Sequence, residues 1–140
     1  TGVQTCALPI YIEYTLYSGL NKIKDFNLRI TLELINKTDN LFLKQENFVK
    51  YFDYNKIKGD TIIRWRKDGD RFTPLGMKGS KKLKDLFIDL KVPKDERDRI
   101  PLICFGGEIA WVVGYRVSEL FKVDKNTKKI LKITIESEEA

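Results

Sequence analysis

Residues 64–85 read RWRKDGDRFTPLGMKGSKKLKD, and this segment decides how the chain is organised. Its first arginines end a strand predicted over residues 61–66, and they share one face because residues two apart in a strand point the same way. A glycine-bearing loop follows. Ser80 is a favourable N-cap for a helix over residues 80–90, whose leucines recur at helical spacing. The segment therefore predicts a helix inserted between strands.

The same segment carries the whole net charge of the chain. Among 140 residues, 26 Lys and Arg stand against 20 Asp and Glu, which gives +6 at pH 7. Positions 64–84 hold eight basic and two acidic residues, and the remainder of the chain is neutral. Such a concentrated basic stretch is typical of a surface that meets a phosphate-bearing partner. A solvated basic face that only aids solubility is the alternative interpretation.

The loop adds features of an anion-binding surface. Glycines let backbone N–H groups approach a ligand closely, and a helix N-terminus favours an anion. The spacing does not fit a nucleotide P-loop, since Ser80 precedes the lysines instead of following them. Residues 76–79 (GMKG) fit the GXXG loop of KH domains, but the surrounding strands do not follow the KH order. The pattern therefore favours contact with a nucleic-acid backbone.

Short strands dominate the rest of the chain. Turns are predicted at residues 18–21 and 39–40, and the pair Gly106 and Gly107 predicts a hairpin. A short second helix is predicted over residues 94–99, with a proline before it. Composition and alternation predict strands over residues 11–17, 28–34, 48–54, 102–105, 108–113 and 129–135. The fold class is α+β: a β-rich, sandwich-like sheet core with one main helix and one short helix inserted between strands.

Residue content excludes several kinds of active site. The chain has no histidine, which removes Ser–His and Cys–His nucleophile pairs and imidazole metal sites. Cys6 and Cys104 cannot build a zinc site, and Cys104 is expected to be a buried hydrophobe. Trp65 and Trp111 are expected in the core. A Mg²⁺ cluster of Asp68, Asp70, Asp85 and Asp89 is one interpretation. Ion pairs of Asp70 and Asp85 with nearby arginines or lysines are expected in preference to it.

The chain is predicted to have four parts. Residues 1–10 (TGVQTCALPI) resemble a translated sequencing adapter, so we expect them to be non-native and the protein to extend upstream. Residues 11–60 are expected to form N-terminal strands of the domain or a lead-in to it, residues 61–136 its core and residues 137–140 a frayed tail. No run approaches the roughly eighteen apolar residues of a membrane helix, so we expect no membrane partner and a cytoplasmic location.

The quoted segment also carries a resemblance to a known family. GDRFTPLGM at 69–77, followed by KKLKD at 81–85, resembles the C-terminal domain of bacterial tRNA(Ile)-lysidine synthetases, as does IAWVVGYR at 109–116. The resemblance is strong over residues 61–135 and loose over residues 11–60. It implies a β-rich α+β fold like one in the phenylalanyl-tRNA synthetase β subunit.

The resemblance also implies what this chain lacks. The family joins lysine to the wobble cytidine of tRNA(Ile) and consumes ATP, in an N-terminal domain marked by an SGGxDS loop. That motif is absent from this sequence. We therefore expect no catalytic residue, metal or cofactor here, with ATP, Mg²⁺ and lysine bound by the missing domain and the fragment alone inactive.

The implied partners are the acceptor stem of tRNA(Ile) and the upstream domains of the same protein, while a homodimer of the parent enzyme stays open. The alternative is an independent basic domain that binds an acidic protein. Residues expected to shape the loop are Gly69, Asp70, Gly76, Gly79 and Ser80, and Asp70 is expected to orient an arginine. The predicted phosphate contacts are Arg64, Arg66, Arg71, Lys78, Lys81, Lys82, Lys84 and Arg116.

Overall fold

Eleven strands and one α-helix form within the residues that the structure, a computed structural model, describes: 12–38, 43 and 46–138. Four 3₁₀ helices join them, over Lys24–Phe26, Tyr54–Lys56, Lys94–Arg99 and Glu119–Phe121. The regular elements are β1 (Glu13–Leu16), β2 (Gly19–Ile23), β3 (Leu28–Asn36), β4 (Val49–Asp53), β5 (Thr61–Arg64), β6 (Arg71–Phe72), β7 (Lys81–Lys82), α1 (Leu83–Asp89), β8 (Leu102–Phe105), β9 (Glu108–Val112), β10 (Arg116–Val117) and β11 (Lys129–Ser137).

The strands make two larger sheets and one small one. The first sheet has the order β1-β5-β8-β9-β10, and the second has the order β2-β3-β11-β4. β6 and β7 pair separately. Every pairing is antiparallel. Each of the two larger sheets therefore draws strands from both the first and the last third of the chain.

The two larger sheets face each other across the main core. Trp111 of β9 is fully buried there, and its ring lies 6.3 Å from that of Phe52 on β4. Phe52 in turn meets Phe105 of β8 edge-on at 5.2 Å between ring centroids, a favourable geometry for aromatic pairs. Phe105 meets Phe121 in the same way at 4.9 Å. These contacts confirm the predicted sandwich-like core and the burial of Trp111.

A second core lies on the outer face of the first sheet. Helix α1 buries Leu83, Leu86 and Phe87, which pack with Phe72 against that face. β8 is therefore covered on both sides, and all four of its residues are buried. Its run of apolar residues without alternation is what a strand between two layers requires.

The main helix begins later than predicted. Ser80 does not cap it: α1 starts at Leu83, and Lys82 at the N-cap position makes no side-chain bond to the helix. Lys81 and Lys82, expected in the first helical turn, instead form β7 opposite β6. The Ser80 hydroxyl accepts a hydrogen bond from Nε of Arg71 at 2.9 Å. Pairing with the earlier strand thus overrides the local capping signal.

Three further predictions about local structure have clear outcomes. Residues 19–23 form β2 instead of the predicted turn, and the Asn21 side chain bonds to Tyr17 across the bend. The hairpin between β8 and β9 is confirmed, with positive φ at both Gly106 and Gly107. The second helix, over Lys94–Arg99, is confirmed as a 3₁₀ helix.

Some predictions fall on residues that the structure does not describe. These are the character of residues 1–10, with Cys6 among them, and the turn at residues 39–40. Within the described part of the chain, no helix is long and apolar enough to cross a membrane.

Candidate nucleic-acid interface

An ion pair between Asp70 and Arg64 anchors the start of the basic segment. Both oxygens of the Asp70 carboxylate accept from the Arg64 guanidinium, at 2.9 and 3.0 Å. The same carboxylate accepts from the Lys67 N–H at 2.8 Å, and the Asp70 carbonyl accepts from the Leu83 N–H at 2.9 Å. One residue therefore ties together the end of β5, the following turn and the start of α1.

Burial changes the interpretation of Arg64. Its side chain is only 5% exposed, beneath the layer that contains α1. A buried and bidentately paired guanidinium cannot reach a phosphate on the surface, so the predicted phosphate contact at Arg64 is replaced by a positioning role. The expectation that Asp70 orients an arginine agrees with this geometry.

The short β6–β7 pair presents two cations side by side. Arg71 and Lys82 are direct cross-strand partners, and both are exposed. Their neighbour Phe72 points inward and is 2% exposed, which fixes the outward direction of Arg71 by strand alternation. Like charges directly opposite each other in a sheet are destabilising. Hydrogen bonds to the Ser80 hydroxyl and carbonyl hold the Arg71 guanidinium, so its charge stays at the surface beside Lys82.

A small cavity, which we call the basic cavity, adjoins this pair. It has a volume of about 170 Å³ and is lined by Arg66, Lys67, Asp68, Gly69, Asp70, Lys82, Leu83 and Lys84. Four of these side chains are cationic, and the Asp70 carboxylate is already engaged with Arg64. Arg66 lies over the Phe87 ring at 5.8 Å and pairs with Asp98 at 2.7 Å. With the Asp68 carboxylate also in its lining, the cavity holds four cationic side chains against two carboxylates, an excess of positive charge.

Lys67 is a cavity residue that the predicted contacts omit. The only sequence signal for Lys67 is its position in the basic segment. The turn that brings it to the cavity beside Lys82 depends on a hydrogen bond between Asp70 and Leu83, which are 13 positions apart. Lys81, by contrast, is predicted as a contact and forms an ion pair with Asp89 on α1.

The glycine loop is held to β10 and the residues that follow it. The Gly76 N–H donates to the Glu119 carboxylate at 2.8 Å, and Pro74 pairs with Ser118. Hydrogen bonds from Lys122 first, and then from Gly76, hold the pKa of Glu119 below its usual value. Lys78 and Gly79 remain exposed at the tip. The loop therefore presents Lys78 from an anchored base, and it does not lie between two helices as a KH loop does.

Arg116 lies apart from the basic cavity. It belongs to β10, donates to the Tyr115 carbonyl at 2.9 Å and lines a different cavity together with Lys50 and Tyr115. The structure therefore brings Arg66, Lys82 and Lys84 together but does not bring Arg116 to them.

Metal-ligating, nucleophilic and aromatic groups complete the description of the site. No group of three or more metal-ligating side chains forms among them. Burial raises the pKa of the Cys104 thiol to about 11, so the thiolate that a nucleophile requires is scarce at neutral pH. Asp70 is ion-paired as expected. On α1 an ion pair forms at Asp89, with Lys81, instead of at the expected Asp85. Trp65 is half-buried and not fully enclosed as predicted, and its ring stacks on Phe26 at 3.9 Å.

Comparison with known proteins identifies the family. The sequence model described as "TilS substrate C-terminal domain" matches residues 61–135, which run from β5 into β11 and include the whole basic segment. The chain belongs to this family. The suspected resemblance is thereby confirmed.

Relatives of this TilS C-terminal domain agree in name. The tRNA(Ile)-lysidine synthase of Clostridium tetani is 61% identical over 118 residues, which are 84% of this chain and 25% of that protein. The protein of the same name from Clostridium acetobutylicum is 52% identical over 91% of this chain and 28% of its own length. The chain thus spans about a quarter of the length of these curated relatives.

Solved structures support the fold. A crystal structure of a TilS C-terminal domain superposes with a TM-score of 0.74 at 25% identity, covering 94% of this chain and all of that one. An N-terminal fragment of the Pyrococcus horikoshii phenylalanyl-tRNA synthetase β subunit gives a TM-score of 0.55 at 21% identity, over 65% of this chain and 28% of that one. The predicted α+β class and its relation to that subunit are confirmed.

Proposed function

We propose that this chain is the tRNA-holding C-terminal part of a tRNA(Ile)-lysidine synthetase. The whole enzyme is a ligase that joins lysine to the wobble cytidine of tRNA(Ile) with ATP. ATP, Mg²⁺ and lysine are assigned to the upstream part of that protein. The part described here binds the acceptor stem and contributes no reacting group.

The observation that carries this proposal is the exposed pair of Arg71 and Lys82 beside the basic cavity. Two cations held opposite each other by backbone pairing repel, and a third and fourth cation, Lys84 and Lys67, line the same cavity. A phosphate placed there removes the repulsion and gains charge-assisted hydrogen bonds. A nucleic-acid backbone supplies such groups at regular spacing.

A-form RNA constrains how the stem is held. Its major groove is deep and narrow, so a protein meets mainly the phosphates and the 2′-hydroxyl groups. We assign phosphate contact to the exposed cations of the basic segment and a positioning role to Arg64, Asp70 and Ser80. These contacts set affinity and register, and they carry little sequence information. The assigned contacts are Arg66, Lys67, Arg71, Lys78, Lys82 and Lys84, with Lys81 at the edge.

The experiment compares two variants that change net charge equally. Lys82→Glu with Lys84→Glu reverses charge at the basic cavity, and Lys22→Glu with Lys129→Glu reverses two exposed charges on the second sheet. Binding to a tRNA(Ile) transcript and to an acceptor-stem minihelix is measured across a salt series. We expect the first variant to lose affinity on the order of tenfold and its salt slope to fall by about two.

The control variant distinguishes binding at the basic cavity from a general effect of net charge on RNA affinity. The variant at Lys22 and Lys129 should bind within about twofold of the natural chain, because those lysines lie on another sheet. Equal losses in both variants would contradict the assignment of the site. Unchanged RNA affinity in a folded Lys82 and Lys84 variant would instead favour the acidic-protein alternative.

A further inference from the structure

A second surface, which we call the aromatic groove, lies at the edge of the sandwich. It has a volume of about 700 Å³, and its walls include Phe26, Phe48, Trp65, Arg99 and Tyr115. This volume falls within the range of about 300–1,000 Å³ that is usual for ligand-binding sites. None of the six phosphate contacts assigned above lines it. The groove is therefore separate from the surface proposed above.

The rings in the groove are arranged as a platform. Phe26 covers one face of Trp65, with the two rings 17° from parallel. Phe48 and Tyr115 are left 48% and 37% exposed at the rim. Rings that served only the core would be covered, as Trp111 and Phe105 are. Partly exposed rings beside a fixed stacked pair offer flat apolar faces to a flat ligand.

The charges around the groove have one sign. Arg99 lines the groove itself, and a neighbouring cavity of about 150 Å³ shares Gly114 and Tyr115 with it and adds Lys50 and Arg116. Neither cavity has Asp or Glu among its described lining residues. The occupant is thus expected to combine flat apolar surface with negative charge.

Two acidic residues at the groove wall share one arginine, which leaves one net negative charge against the three cations Arg99, Arg116 and Lys50. Glu136 and Glu138 flank Ser137 at the groove wall, and both pair with Arg29, at 3.7 and 3.0 Å. They therefore do not cancel the cations on the other side of the groove.

We propose that the aromatic groove binds unpaired nucleotides of the tRNA. Bases lie against Tyr115, Phe48 and Trp65, and the connecting phosphates meet Arg99, Arg116 and Lys50. Aromatic platforms next to cations are the usual means of holding single-stranded nucleic acid, because every base has a face that can stack. This inference rests on the proposed tRNA binding, and it also gives Arg116 a partner of its own.

Trp65 supplies a direct readout of groove occupancy. The chain has two tryptophans, and Trp111 is fully buried while Trp65 lines the groove. Titration of the full chain with a single-stranded RNA hexamer should quench Trp65 fluorescence in a saturable way. A Trp65→Phe variant should lose the signal, which identifies its source.

A matched pair of tyrosine variants tests the platform. Tyr115→Ala removes a groove ring, and Tyr17→Ala removes a ring that is 69% exposed outside the groove. We expect Tyr115→Ala to weaken hexamer binding at least about fivefold and Tyr17→Ala to leave it unchanged. Phe48→Ala should act as Tyr115→Ala does, and it keeps the test available where one variant folds poorly.

A blunt-ended RNA duplex separates this inference from the proposed function. Tyr115→Ala should keep its duplex affinity, and the Lys82 and Lys84 variant should keep most of the hexamer-induced quench. Absence of quench, or quench that is indifferent to both Tyr115→Ala and Phe48→Ala, would overturn the groove assignment while duplex binding stands. Self-association that Tyr115→Ala abolishes would also overturn it, since a second copy would then be the occupant. Failure of duplex binding alone counts against the basic cavity.

Discussion

Asp70 holds Arg64 by two parallel hydrogen bonds beneath the outer layer of the domain, with side chains only 11% and 5% exposed. The pair fixes where β5 ends and where α1 begins, because Asp70 also accepts from the Leu83 N–H. The turn that carries Lys67 and the start of the helix that carries Lys84 are both joined to this contact.

Removal of the Asp70 carboxylate should destabilise the domain strongly. Asp70→Ala leaves a guanidinium buried without its partner, which typically costs about 3–5 kcal/mol. We expect a corresponding fall in the free energy of unfolding, measured by urea denaturation. Asp98→Ala breaks the exposed pair with Arg66 and should cost less than about 1 kcal/mol. Similar losses in the two variants would show that the buried pair has no special role.

The two glycines of the hairpin between β8 and β9 should differ in how much their replacement by alanine lowers stability. At Gly106 an added Cβ would lie 2.0 Å from the Lys58 carbonyl oxygen, whereas at Gly107 it would meet nothing within 4 Å. Both have positive φ, so both alanine variants carry backbone strain of about 1–2 kcal/mol. Gly106→Ala should cost several kcal/mol more, since backbone must move. Thermal unfolding of the two variants checks this order.

Asp124 should make the stability depend on pH in the acid range. A hydrogen bond from Lys56 first, then one from the Asn126 N–H, lowers the pKa of Asp124 from 3.8 to about 2. Because the folded-state pKa is the lower one, this contribution is present above about pH 4 and is lost as the pH falls toward 2. Asp124→Asn should make the urea midpoint of unfolding depend less on pH over that window. A pH dependence as steep as that of the natural chain would contradict the assignment.

Cys104 should resist thiol reagents in the native chain. Its side chain is fully buried on β8, and burial raises its pKa to about 11. In a Cys6→Ser background at pH 8, we expect modification to be at least about a hundredfold slower than in the urea-unfolded chain. Fast modification without denaturant would show that the outer layer opens readily.

The central and last strands could be predicted from sequence because their signals are local. The apolar run at Leu102–Phe105, the glycine pair after it and the alternation in Lys129–Ser137 each depend on neighbouring residues alone. The concentration of positive charge could likewise be read by counting. These features predicted the fold class and the segment that carries the candidate site.

The corrections arise where distant contacts override local signals. Ser80 is a suitable N-cap residue, but its hydroxyl accepts a hydrogen bond from the Arg71 side chain. Its neighbours Lys81 and Lys82 pair with β6 instead of entering the helix. Strand alternation predicted which face of β5 carries Arg64. It could not show that the layer containing α1 covers that face. The aromatic groove was not predicted because Phe48, Trp65 and Tyr115 are far apart in the chain and meet only after the sheets pack.

Arg64 and Leu102 are direct cross-strand partners, so the chain leaves the sandwich at the end of β5 and returns beside the same point at the start of β8. Residues 65–101, which lie between them, form an insertion at a single cross-strand residue pair of the first sheet. Such an insertion can change in length or in surface charge while the strand order beneath it stays the same. The outer side of this insertion can therefore vary separately from its inner side, where Leu83, Leu86 and Phe87 are packed on the sheet.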